Sequence, residues 1–158
     1  MDDSLSRNAD SAAAPTTEAT PHLAARDEIR AEVVFLSGEA GTGPLAGSLA
    51  YDPADPYAVR MAITARSGLV VWTFARELLA EGLFDPAGDG DVHVWPCLGS
   101  TGEAVVIIEL SSPSGTAMLQ TGSRGVQAFM EAVYAAVPAG SESRHLAMDD
   151  LLHRLLAS

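Results

Sequence analysis

From Tyr57 to Arg66 the residues alternate without a break. Tyr57, Val59, Met61, Ile63 and Ala65 share one side, and Ala58, Arg60, Ala62, Thr64 and Arg66 share the other. A period of two over this length is the pattern of a strand with one buried face. Ser67-Gly68 then supplies a tight turn, and Leu69 to Thr73, rich in β-branched residues, returns as a further strand. The chain is therefore committed to a sheet. The wider stretch from Tyr51 to Pro96 reads as its scaffold: strands, one short helix, a polar turn and another strand.

The flanking sequence extends the same plan. Ile29, Ala31, Val33 and Phe35 alternate with Arg30 and Glu32, and Leu45, Gly47, Leu49 and Tyr51 form the next alternating run. The Gly-rich segment between them, residues 38–44, reads as a hairpin loop. A phosphate-cradling P-loop needs a lysine, and the chain has none. The two Asp-Pro pairs of residues 52–56 make a turn and cannot continue a helix. Further on, residues 91–97 form a strand, residues 103–111 an apolar strand buried on both faces, and residues 116–121 a last strand after the Ser112–Gly115 turn.

Three helices are expected. Thr73 serves as N-cap for a short one over residues 74–81, with Phe74, Leu78 and Leu79 inward and Arg76, Glu77 and Glu81 outward. Gly82 would end it in the left-handed conformation, letting Leu83 fold back on Leu78. Val126, Phe129, Met130, Val133, Tyr134 and Val137 follow helical spacing and form one apolar stripe, ended by Pro138. Residues 139–147 connect to a leucine-rich helix, Met148 to Leu156, which needs a docking surface on this subunit or another.

All nine basic residues are arginine and the formal charge is −12, so the molecule repels phosphate backbones and nucleic acid is a poor partner. The single cysteine, Cys97, excludes an intramolecular disulfide and fits a reducing compartment. Residues 1–26, rich in Ser, Ala, Thr and Pro, read as a disordered tail before one domain over residues 27–158. The acidic start lacks the charge pattern of a signal peptide, and no apolar run is long enough to span a membrane, so a cytoplasmic protein is expected.

No catalytic constellation emerges. His93 and Cys97 lie about 13 Å apart along a strand, too far for a nucleophilic pair. The Asp-rich turn of residues 85–91 lacks the terminal glutamate of a calcium loop. His145 and His153 have no third ligand. No cofactor, metal site or enzymatic activity is expected.

Several ordered motifs resemble the SsgA-like sporulation and cell division family of actinobacteria. They are Tyr51-Asp52 with Asp55-Pro56-Tyr57-Ala58-Val59, the run Phe74 to Leu79 with Glu81-Gly82-Leu83, and Gly88 to Val92 leading into Trp95-Pro96. Leu110 to Pro113 with Gly115, Val137-Pro138 and the leucine-rich C-terminus complete the likeness, which is greatest to the family's B-type branch. The resemblance implies an α+β fold, with two antiparallel sheets packed crosswise as in the whirly nucleic-acid binders, a short mid-chain helix and C-terminal helices. By analogy with that fold alone, the alternative function is single-stranded nucleic-acid binding, with Tyr57, Trp72 and Trp95 for stacking and Arg60 and Arg66 for charge, although core packing is the commoner role for each tryptophan. The resemblance further implies a non-enzymatic regulator of septation in the cytoplasm and at the cell septum. That regulator would act as a protein–protein adaptor towards the tubulin-like division protein FtsZ and SsgA-like paralogues. It would form a homo-oligomer, a trimer for preference.

Overall fold

The structure is a computed structural model that describes residues 28–38 and 43–157. The expected N-terminal tail and most of the glycine loop lie outside the described residues. The elements are β1 (Ile29–Ser37), β2 (Leu45–Tyr51), β3 (Ala58–Ala65), β4 (Gly68–Ala75), α1 (Arg76–Gly82), β5 (Val92–Leu98), β6 (Ala104–Ser112), β7 (Gly115–Gly122), α2 (Ser123–Ala136) and α3 (Glu142–Ala157).

Every neighbouring strand pair is antiparallel, in the order β4-β3-β2-β1-β7-β6-β5. The hinge of this arrangement is β1. Its residues Ile29 to Phe35 pair with β2, and Leu36 and Ser37 pair with β7. The sheet is strongly curled. Laid flat, β4 and β6 would stand about 24 Å apart, five strand spacings. Yet Val70 and Trp72 of β4 line one cavity of about 650 Å³ together with Leu110 and Ser112 of β6. The architecture is thus α+β, with one continuous curled sheet whose two limbs meet at β1.

The core fills the inner face of that curl. On β3, Val59, Met61 and Ile63 are buried while Arg60 and Thr64 are exposed, as strict alternation requires. Residues Val105 to Ile108 of β6 are buried on both faces, as the continuous apolar run predicts. Helix α2 lays Val126, Phe129, Met130 and Val133 against the sheet. Fully burying each such side chain is worth about 1.5–3 kcal/mol, which a helix of this length needs to be stable.

The short helix differs from expectation at both ends. Thr73 and Phe74 are strand residues, because the β3–β4 ladder runs on through Phe74 opposite Val59 and Ala75 opposite Ala58. The Arg76 amide still bonds the Tyr57 carbonyl at 2.8 Å. Ala75 occupies the N-cap position, and no side chain caps the helix. Gly82 is a helical residue and not a left-handed terminator. Its lack of a side chain serves packing: a Cβ there would lie 2.2 Å from Val94 Cγ1, so α1 approaches β5 through this glycine. Helix α3 also begins earlier than expected, at Glu142, after a turn in which Ser141 N–H and Oγ both donate to the Pro138 carbonyl.

Candidate functional site

Where α1, the end of α2 and the start of α3 converge, the structure buries an arginine. Arg76 was expected on the solvent side of its helix, but only 1% of its surface is exposed. The late helix start explains the reversal. Counting from Arg76, the buried Leu79 and Leu83 follow at i+3 and i+7, so the arginine shares their face. That spacing was the available signal.

Three hydrogen bonds hold the guanidinium. Nη1 donates to the Val137 carbonyl at 2.7 Å and to Tyr51 Oη at 3.3 Å. Nη2 donates to Glu142 Oε2 at 2.6 Å. Arg76 Cζ stacks 4.1 Å from the Tyr134 ring centre. Tyr51 in turn donates its hydroxyl proton to the Pro56 carbonyl at 2.9 Å. The Val137 carbonyl is one that the end of α2 leaves without an intrahelical donor. The Glu142 carboxylate also accepts the Gly140 N–H at 2.8 Å. Its pKa is held down, chiefly by the Arg76 hydrogen bond. Burial raises the pKa of both Tyr51 and Tyr134, with the Arg76 charge opposing. A cation buried and paired in this way is a structural hub.

Above the hub lies a cleft of about 910 Å³ walled by Tyr57, Glu77, Glu81, Phe84, Asp85 and Tyr134 among others. Phe84 is 71% exposed. The carboxylates on this wall make it hostile to polyanions.

The five residues of the nucleic-acid alternative are dispersed. Tyr57 stands in the acidic cleft, half exposed. Arg60 pairs with Glu28. It lies opposite Thr73, whereas Trp72 lies opposite Met61 on the inner face, so Arg60 and Trp72 occupy opposite faces of the hairpin. Arg66 and Trp72 are brought together at the cavity between the two limbs. Trp95 sits on β5 opposite Ile107, at the far end of the strand order. Of the five, the acidic cleft holds only Tyr57 and the cavity between the limbs only Arg66 and Trp72.

His93 bonds the Glu109 carboxylate across the β5–β6 ladder at 3.0 Å, and Cys97 is exposed on the same strand. Among the described residues no group of three or more His, Cys, Asp or Glu side chains converges, and no helix is long and apolar enough to cross a membrane.

The most exposed apolar surface is on α3. Leu151, Leu152, Leu155 and Leu156 form one stripe, each at least 49% exposed, while Leu146, 43% exposed, lies off that stripe on the other side of the helix. The sequence left open whether this stripe docks on its own subunit, and the structure leaves it outside the core cluster.

The family described as Streptomyces sporulation and cell division protein, SsgA, matches residues 45–142. The sporulation-specific cell division protein SsgB of Streptomyces coelicolor is 49% identical over 72% of this chain and 83% of its own length. SsgB of Frankia casuarinae is 43% identical over 82% and 92% respectively. A solved structure concerned with SsgB mutations that correlate to longitudinal cell division during sporulation of Streptomyces coelicolor aligns with TM-score 0.69. Its sequence identity is 43%, over 75% of this chain and 94% of that one. An SsgA-like sporulation-specific cell division protein from Thermobifida fusca aligns with TM-score 0.73 at 35% identity, over 80% and 94%.

Proposed function

Because the chain belongs to the SsgA family of sporulation and cell division proteins, we propose that it is a non-enzymatic regulator of sporulation-specific division, an adaptor that helps to position FtsZ at septum sites. It works in the cytoplasm and at the septum. Residues 27–158 act as one domain whose two sheet limbs cross as in whirly proteins, and the chain assembles with copies of itself, as a trimer for preference, and with SsgA-like paralogues.

The observation that carries the adaptor reading is the leucine stripe of α3. A monomer gains nothing by holding four large aliphatic side chains of one helix face in water, and such a patch is the mark of a protein contact. The net charge of −12, the acidic cleft and the dispersal of Tyr57, Arg60, Arg66, Trp72 and Trp95 weigh against single-stranded nucleic acid.

The test is genetic. This chain is expressed in Streptomyces coelicolor in place of SsgB, and septa are imaged with labelled FtsZ. Regular FtsZ ladders and transverse septa support the proposal. Folded, expressed protein with no septation contradicts it.

A further inference from the structure

We propose that the free edge of β4 is a docking site for an extended segment of a partner protein, which adds to the sheet as an eighth strand. The inference rests on the adaptor reading for its biological purpose and on the sheet geometry for its physics.

The sheet has two edges, β4 and β5, and they are treated differently. The Asp91 carbonyl accepts from Ser111 N–H, which fixes the alternation on β5 and turns the backbone groups of Val92, Val94, Pro96 and Leu98 away from β6. Val94 is covered: it exchanges two hydrogen bonds with Ala87, at 2.8 and 2.9 Å. Pro96 has no N–H to offer. Covering and proline are two of the devices by which folded proteins prevent edge-to-edge association.

On β4 neither device is present. The bond from Arg76 N–H to the Tyr57 carbonyl sets the alternation there, so Leu69, Val71 and Thr73 turn their N–H and C=O groups outward. No partner for these groups occurs among the described residues. The strand, GLVVWTFA, carries no charge and no proline, and Leu69, Val70 and Val71 are 68%, 37% and 48% exposed. An uncharged, apolar edge left bare is an association site.

The faces beside this edge specify the occupant. An added strand sends alternate side chains to opposite faces. On the inner face they meet the cavity of about 650 Å³ at Val70 and Trp72. On the outer face they meet a hollow of about 240 Å³ floored by Ala46, Ser48 and Ala62 beside Leu69 and Val71. The inner hollow receives a protruding apolar group, and the outer one is also bordered by Arg30, paired with Glu32, and by Arg60, paired with Glu28, so it calls for no charge on the ligand's central run. A second copy docked at this edge would bring another −12 of charge to it, so the self-assembly proposed above uses another surface. The complementary ligand is an uncharged, β-branched or aromatic run with basic flanks, which the acidic body attracts.

The test uses the full chain and a short synthetic peptide whose central run alternates valine and isoleucine and whose ends each carry two arginines. Binding is read by calorimetry and from the change in tryptophan emission, with Trp95 replaced by phenylalanine so that Trp72 alone reports, and with Val71→Pro and Leu69→Lys as variants. Val71→Pro removes an outward N–H that the ladder does not use, and Leu69→Lys places a charge at the exposed edge, so the fold survives at least one of them. Saturable binding by the wild type, weakened about tenfold or more by both folded variants, supports the inference. Equal binding by wild type and variants, or none, overturns it. Self-association of the wild type that Val71→Pro abolishes overturns the choice of occupant. The titration contains no division protein, so its failure leaves the adaptor reading intact and remains distinguishable from a failure of FtsZ positioning.

Discussion

Arg76 and Glu142, 66 positions apart in the chain, meet at 2.6 Å with the arginine almost wholly buried. This pair joins the first turn of α1 to the first turn of α3. It sets where the leucine stripe leaves the body of the protein, so a local ion pair controls the presentation of the proposed contact surface.

Replacing Arg76 by leucine leaves the Val137 carbonyl and the Glu142 carboxylate without their buried donor. The Val137 carbonyl is then buried and unsatisfied, which costs about 1–3 kcal/mol. The Arg76→Leu protein is expected to show a urea midpoint lowered accordingly. Arg76→Lys keeps the charge but loses the fork and the stacking on Tyr134, and its midpoint falls between the two.

The same pair makes stability depend on pH in a defined direction. Glu142 has a lowered pKa in the folded state, chiefly through the Arg76 hydrogen bond. Its contribution is therefore complete above the unfolded carboxylate value and is lost as pH falls through the lowered folded value. In thermal melts, the gap between wild type and Glu142→Gln is expected to be constant at neutral pH and to shrink as pH falls through this window. A gap that widens on acidification contradicts the assignment.

Gly82→Ala decides between two opposed effects. Helix propensity favours alanine by about 1 kcal/mol. A Cβ at this site, however, would lie 2.2 Å from Val94 Cγ1 and 2.5 Å from Val94 Cβ, and overpacking costs about 1–3 kcal/mol. The contact falls on the branch point of a fully buried residue, which has little room to move. A lowered melting temperature is expected.

Leu151 and Leu152 test the stripe on α3. They are half exposed and outside the core cluster. Replacing both by aspartate is expected to change stability by no more than about 0.5 kcal/mol per site, while abolishing recruitment of FtsZ and assembly with paralogues. A large loss of stability would place these leucines in the folding core instead.

Residues with a strong local signal were legible without coordinates. The alternation of β3, the doubly buried run of β6 and the stripe of α2 all appear at the expected positions, because one-sided burial imposes its period on the sequence. What the sequence hid depends on long-range geometry. Phe74 and Ala75 carry no mark of belonging to β4, since only pairing with Val59 and Ala58 extends the strand. Moving the helix start from Phe74 to Arg76 turned a presumed surface arginine into the hub. Gly82 looked like a terminator because the alternative, close approach to Val94, involves a residue twelve positions away. The curl that joins the two limbs rests on the pairing of Leu36 and Ser37 with β7, which no local pattern announces.

The central claim is that this acidic sheet protein acts by binding other proteins, and co-sedimentation with FtsZ polymers tests it most directly. Purified protein is spun with and without polymerised FtsZ, and the same preparation is titrated with a labelled single-stranded oligonucleotide at low salt. The account predicts saturable co-sedimentation with FtsZ, lost in the Leu151→Asp, Leu152→Asp double variant, and no oligonucleotide binding. Tight oligonucleotide binding together with no protein in the FtsZ pellet would contradict it.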